Sequence, residues 1–180
     1  HYRDFAPLPP EEWAEEYGLN WVPCNEQNKP MMKWGAGAMS KRQAVGTRGC
    51  RYLAENVKGQ RHFVIDFDGD HDKTRPRFDT IKFGYELEQL TETHMLMAPR
   101  EVTDEDGKTY CPSFHLTFAT DRQVPTQHFP HASIDIVGNA KNSLRYFKDK
   151  VHNGRPYVEM RDEWWDLIMQ FVKSKEKAWQ

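Results

Sequence analysis

The sequence predicts an α+β fold, on three observations. Stretches with strand periodicity and stretches with helix periodicity are mixed along the chain, without strict strand–helix–strand alternation. Asp106-Gly107 sits between two apolar runs and predicts a β-hairpin. The chain closes on an amphipathic pattern at 161–179. With 180 residues the chain is read as a single domain.

The elements follow in order. "PPEEWAEEYG", 9–18, predicts a short helix: Pro10 suits its first turn, the acids suit its N-terminal end and Gly18 stops it. The stretch 25–49 is loop-rich and basic, with Lys29, Lys33, Lys41, Arg42 and Arg48. "RYLAENV" and "RHFVIDFD" predict two strands joined by "KGQ". Helical spacing of Phe78, Ile81, Tyr85, Leu87 and Leu90 predicts a helix that Gly84 weakens. "MLMAPREV" and "YCPSFHLTFAT" form the arms of the predicted hairpin, and "PHASIDIVG" a short strand. "NSLRYFKDK" and "RPYVEM" are strand-like or irregular, with Asn153-Gly154 as a turn between them. The closing helix carries Trp164, Trp165, Ile168, Phe171 and Val172 on its apolar side, and Trp13, Trp164 and Trp165 are expected to pack rather than stack on bases.

Hydrophobic residues at 38 % and charged residues at 29 % suffice for a folded core. A net charge of −2 excludes a simple polycation but leaves room for a local basic groove. Cys24, Cys50 and Cys111 contain no CxxC pair, which argues against a structural zinc site and a disulfide scaffold. Three reduced thiols, with no visible signal peptide and no apolar run of about 20 residues, imply an intracellular protein that does not enter a membrane.

The chemistry is concentrated in three short segments. In "VIDFD", Asp66 and Asp68 stand at i and i+2, which on a strand puts both on one face. Two close carboxylates repel unless a cation shares them, and oxygen ligands suit Mg²⁺ or Mn²⁺. Asp70 and Asp72 lie past Gly69 and are expected to face solvent or to support the site from behind. The bland alternative is a solvated acidic turn. An EF-hand fails, because His71 and Arg77 occupy the positions that require Gly and Glu. "SFH" places Ser113 and His115 on one strand face, where hydroxyl and imidazole can hold phosphate oxygens. "SIDIVG" supplies Asp135, followed by Lys141, Arg145, Lys148 and Lys150.

In this order the three segments resemble the motifs of the archaeo-eukaryotic primase superfamily, in its primase-polymerase and viral primase branch. "VIDFD" is similar to its first motif, "SFH" followed by "LTF" to its second, and "SIDIV" running into "KNSLRYFK" to its third, over about residues 46–150. The resemblance implies that Asp66, Asp68 and Asp135 are catalytic and bind two Mg²⁺ or Mn²⁺ ions. It implies that Ser113, His115 and Arg145 hold a nucleotide triphosphate, with Lys148 assisting, and that Arg51 (or Arg48) touches nucleotide or template. It implies DNA primase and polymerase activity in replication, on a single-stranded DNA template and primer with dNTP or NTP, beside a helicase domain or replisome protein. The implied architecture is a two-lobed core, an RRM-like antiparallel sheet plus an N-terminal α/β lobe. It divides the single domain 1–180 into lobe elements at about 1–60, motifs at about 61–160 and a closing helix at about 161–180.

Two departures stand out. Cys111 occupies a position where the family often has Lys, and Ser143 replaces a second Arg, so the grip on phosphate is expected to be weaker. Lys29, Lys33, Arg42, Arg48 and Arg51, with Trp34, are read either as a template path or as a solvated basic loop. His71 is a candidate to line the site, whereas His62, His94, His128, His131 and His152 show no ligand spacing. Two rival readings remain. A haloacid-dehalogenase-type phosphatase, with Asp66 as nucleophile and Asp68 as acid/base, would need a doubly wound parallel sheet. A non-catalytic nucleic-acid-binding replication domain would need no chemistry at all.

Overall fold

The computed structural model describes residues 6–7, 19–25, 27, 29, 49–56, 61–139, 144–147 and 151–179, with backbone placement alone at 6–7, 19–24, 49–56, 144–147 and 179. Its strands are β1 (Ala6–Pro7), β2 (Leu19–Cys24), β3 (Gly49–Asn56), β4 (Arg61–Asp68), β5 (His94–Met97), β6 (Val102–Thr103) and β7 (Thr109–Tyr110). They continue with β8 (Ser113–Thr120), β9 (Gln127–Phe129), β10 (Ile134–Val137), β11 (Leu144–Phe147), β12 (Val151–His152) and β13 (Val158–Glu159). The helices are α1 (Phe78–Thr91) and α2 (Asp162–Trp179).

The main path of the sheet runs β1-β12-β5-β8-β4-β10-β9, and every neighbouring pair along it is antiparallel. β13 adds to β8 in parallel. β3 meets β4 at Glu55 opposite Arg61 and carries β2 and β11 as antiparallel partners. The α+β class is therefore observed, with helices laid on an antiparallel sheet. The predicted helix at 9–18 lies outside the described residues.

Alternation on the central strands makes two unlike faces. Phe63, Ile65 and Phe67 of β4 lie opposite Phe118, Leu116 and Phe114 of β8, and all six are buried. Ile134 and Ile136 of β10 and Met95 and Met97 of β5 extend this apolar face. Both helices cover it. Phe83 of α1 stacks on Phe171 of α2 at 4.1 Å, while Trp165 meets Phe63 edge-on and Trp164 packs beside Phe118. Trp164 and Trp165 thus pack, as expected.

Gly84 does not interrupt α1. A Cβ there would come within 2.4 Å of the Phe114 ring and 3.0 Å of Phe67. The residue that is poor for helix propensity is the one that lets the helix approach the sheet. The hairpin is subtler than the sequence suggests. Its arms β5 and β8 pair in the main sheet, and its tip is a separate ribbon, β6 with β7. The Asp104 side chain holds that tip by accepting from the backbone N–H groups of Asp106 and Lys108. The sequence reading assigned no strand at β2 or β9. The three residues of β9 are too few to show alternation.

Candidate active site

The strand register assembles the site on the face away from the helices. Asp66 lies directly opposite His115 on β8 and Asp135 on β10, and Asp68 lies opposite Ser113. Directly opposed residues in a sheet share a face. Five side chains from three sequence-distant segments therefore form one patch. On β9, His128 lies opposite Asp135 and continues the row. The row reads His128, Asp135, Asp66, His115 across four strands.

Each carboxylate has an imidazole beside it. His115 Nε2 is 3.3 Å from Asp66 Oδ1, His128 Nδ1 is 2.9 Å from Asp135 Oδ1, and His71 Nδ1 is 3.4 Å from Asp68 Oδ2. The other ring nitrogen of His115, Nδ1, is buried without a hydrogen-bond partner among the described residues.

Along the strands the face passes from dry to wet. His62, Val64, Thr117, His94 and Leu96 are buried at one end. Tyr157 packs against both His62 and His94 there. Burial pushes the His94 imidazole down to about 3, so it is neutral at ordinary pH. At the other end the Asp68 and Asp135 side chains are each 46 % exposed. This face is thus most open to solvent where β4 ends and β8 begins.

Asp68 and Asp70 have opposite acidities. Burial raises the Asp68 pKa first, the hydrogen bond to Asp70 adds to this, and the charges of Asp66 and Asp70 add further. Asp70 is buried too, which raises its pKa, but its hydrogen bond and charge pairing with Lys73, with help from Asp68 and Arg100, leave it below the ordinary range. Lys73 Nζ donates to Asp70 Oδ2 at 3.0 Å, and Arg100 Nη1 donates to the same oxygen. Asp70 is therefore not solvent-facing. Asp72 is exposed, and its Oδ1 accepts from the Thr74 backbone N–H and hydroxyl.

The donor set of Asp66, Asp68 and Asp135 is all oxygen, in register and crowded with negative charge, which suits a hard divalent cation. As placed, no three His, Cys, Asp or Glu side chains among the described residues close on a common point. Asp66 and Asp135 face their histidines instead. The backbone register nevertheless sets Asp66 and Asp135 side by side on adjacent strands.

Of the other sequence candidates, Arg51 sits opposite Tyr146 where β3 meets β11, and Arg145 opposite Tyr52. The two arginines thus occupy alternate positions of the pleat. Lys148, Lys33, Trp34, Lys41, Arg42, Arg48, Lys141, Lys150 and Trp13 lie outside the described residues. Cys111 is 2 % exposed, its Sγ within 2.7 Å of the Ala98 carbonyl oxygen, so it faces the interior rather than the cleft. His71 does reach Asp68. The sequence reading missed His128 and the pair Lys73 and Arg100, which carry no spacing signal. No family model matches the chain, and no curated protein matches it.

Proposed function

We propose that this chain is the catalytic domain of a DNA primase-polymerase of the archaeo-eukaryotic primase superfamily. On this reading it joins (d)NTPs to a 3′-hydroxyl on a single-stranded DNA template, in replication. The observation that carries the reading is the register of β10, β4 and β8. Three motifs that are weak singly, separated by tens of residues, meet as Asp135, Asp66 with Asp68, and His115 with Ser113 on one open face. The antiparallel sheet with both helices on its far face supports the catalytic half of the two-lobed, RRM-like architecture. The strands β2, β3 and β11, which carry Arg51 and Arg145 at alternate positions of the pleat, would belong to the N-terminal lobe.

Asp66, Asp68 and Asp135 would hold Mg²⁺ or Mn²⁺, which when bound supplies charge neutralisation for the attacking and leaving oxygens. The chain's own groups do the rest. Asp66 and Asp135 stand side by side in register on the sheet face away from the helices. His115 has one nitrogen against Asp66, and this orients the ring. Ser113 stands at the open end, where its hydroxyl can donate to a phosphate oxygen. Arg145 with Lys148, or Arg51 on the other face of the pleat, would add positive charge from the lobe side.

The phosphatase alternative loses its support, because it needs a doubly wound parallel sheet and the main path here is antiparallel. Primer synthesis on single-stranded DNA decides the reading, with Mg²⁺ or Mn²⁺ and labelled nucleotides, wild type beside Asp66→Ala/Asp68→Ala. Metal-dependent products that vanish in the variant are the expected result. Absence of product with either metal, primed or unprimed, with DNA binding retained, would favour the non-catalytic domain.

A further inference from the structure

Asp70 poses a question that catalysis does not answer. A carboxylate that is 3 % exposed is costly unless it is paired and hydrogen-bonded. Here it is paired with two cations on a single oxygen, Oδ2. Neither cation is buried with it. The Arg100 side chain is 40 % exposed and that of Lys73 is 70 % exposed. Among the described residues neither makes a second ion pair or side-chain hydrogen bond. Arg100 engages one nitrogen of a guanidinium that has five N–H donors, and Lys73 retains two of its three. Counted against Asp70 alone, the two cations keep N–H donors free to bind a further anion.

Their location gives that charge a purpose. Lys73 is in the loop after β4, and Arg100 is in the loop after β5. Both loops are tied to the start of β8. Gly69 N–H donates to the Pro112 carbonyl at 2.8 Å, and Ala98 N–H donates to the Ser113 carbonyl at 3.2 Å. The first tie is close-packed: a Cβ on Gly69 would lie 2.3 Å from Ile81 and 2.8 Å from the Pro112 oxygen. The Arg77 N–H to Gly69 carbonyl bond, at 2.6 Å, pins the same loop from the far side. Asp68, opposite Ser113, lies within hydrogen-bonding reach of Asp70. The two cations therefore stand on loops tied to the start of β8, where Ser113 lies opposite Asp68. Cys111, the neighbouring position expected to weaken the phosphate grip, is turned inward and brings no charge here.

We propose that Arg100 and Lys73, anchored by the buried Asp70, form a polyphosphate subsite beside Ser113. It takes the outer phosphates of an incoming nucleoside triphosphate. This identity of the ligand rests on the nucleotidyl-transfer reading; the affinity for polyphosphate does not. Because the anchor holds both side chains before the ligand arrives, little ordering is left to do on binding. Arg100 can offer paired N–H groups to one phosphate, and Lys73 a single point charge.

The test is binding of inorganic tripolyphosphate and of dATP by titration calorimetry in EDTA, followed by nucleotide KM in primer extension. Arg100→Ala is expected to weaken tripolyphosphate binding about tenfold or more, and Lys73→Ala by less, as for loss of a charge-assisted contact. Lys173→Ala, which removes an exposed charge on α2, should leave it unchanged. Because Arg100→Ala strands the buried Asp70 and can impair folding, Asp70→Asn/Arg100→Gln removes both charges together and should show the same loss. Folded Arg100 and Lys73 variants that bind tripolyphosphate like wild type would overturn the proposal. So would a wild type that does not bind it, or a loss confined to single-stranded DNA. If binding depends on Arg100 but the wild type makes no primer, the subsite stands and the primase reading falls. If primers are made with unaltered nucleotide KM in Arg100→Ala, the reverse holds.

Discussion

The two faces of the central sheet are built from the same residues of chain, one position apart, and they do opposite work. On β4 the helix-facing set is Phe63, Ile65 and Phe67, all at most 1 % exposed. The cleft-facing set ends in Asp66 and Asp68, whose side chains are 32 % and 46 % exposed. One face gains stability by removing apolar surface from water. The other concentrates like charge, which opposes folding unless something positive shares it. A period of two residues lets a single strand carry both without compromise, since neither set touches the other.

That separation can be broken by substitution. The largest effect is expected at Asp66. On the primase-polymerase reading, Asp66→Asn should cut primer synthesis by about a hundredfold or more, the scale for losing a group that acts in the transition state. Its thermal midpoint should stay near wild type. A variant that loses activity only because it unfolds would erase the distinction between the faces.

Phe67→Ala tests the opposite side. Phe67 is fully buried and stacked on Phe114 at 4.8 Å. Truncation should cost about 3–5 kcal/mol in urea unfolding. Activity per folded molecule should change far less than in Asp66→Asn, although the two residues are adjacent.

Gly84→Ala sharpens the account of how α1 meets the sheet. On an exposed helix the change would gain about 1 kcal/mol. Here the added Cβ meets Phe114 and Phe67, so a net loss of roughly 1–3 kcal/mol is expected. Stabilisation by this substitution would show that the helix sits further from the sheet.

The smallest effect belongs to Asp68. Its pKa is raised by burial, by Asp70 and by Asp66, so the folded state holds its proton more tightly than the unfolded chain does. Ionisation therefore opposes folding. That penalty is absent below the ordinary value of 3.8 and sets in as pH rises through the folded value. Asp68→Asn should raise the thermal midpoint slightly at pH 7, with the gain fading in acid, while primer synthesis falls. Asp70→Asn should do the reverse to stability. Its lowered pKa contributes stability above 3.8 that is lost as pH falls through the folded value. Melting curves at pH 3.5 and pH 7 separate the two.

Much of this was legible in the sequence, for local reasons. Alternation in "RHFVIDFD" and "SFHLTF", the turn at Asp106-Gly107 and the apolar spacing of the closing helix each depend on residues a few positions apart. They sufficed for the α+β class and for Asp66 with Asp68 and Ser113 with His115 as pairs on one strand face. Whether those pairs meet Asp135 depends on register between strands some 50 to 70 positions apart along the sequence, which no local pattern specifies. The same holds for Asp70, which the sequence leaves as either a solvent acid or a support behind the site. Only the packing of two loops against β8 makes it a buried anchor for Arg100 and Lys73. Gly84 looks like a helix breaker until the sheet behind it is seen. Periodicity determined which face each residue occupies; tertiary packing alone decided which faces, charges and loops came together, because those contacts join segments that are distant in the chain.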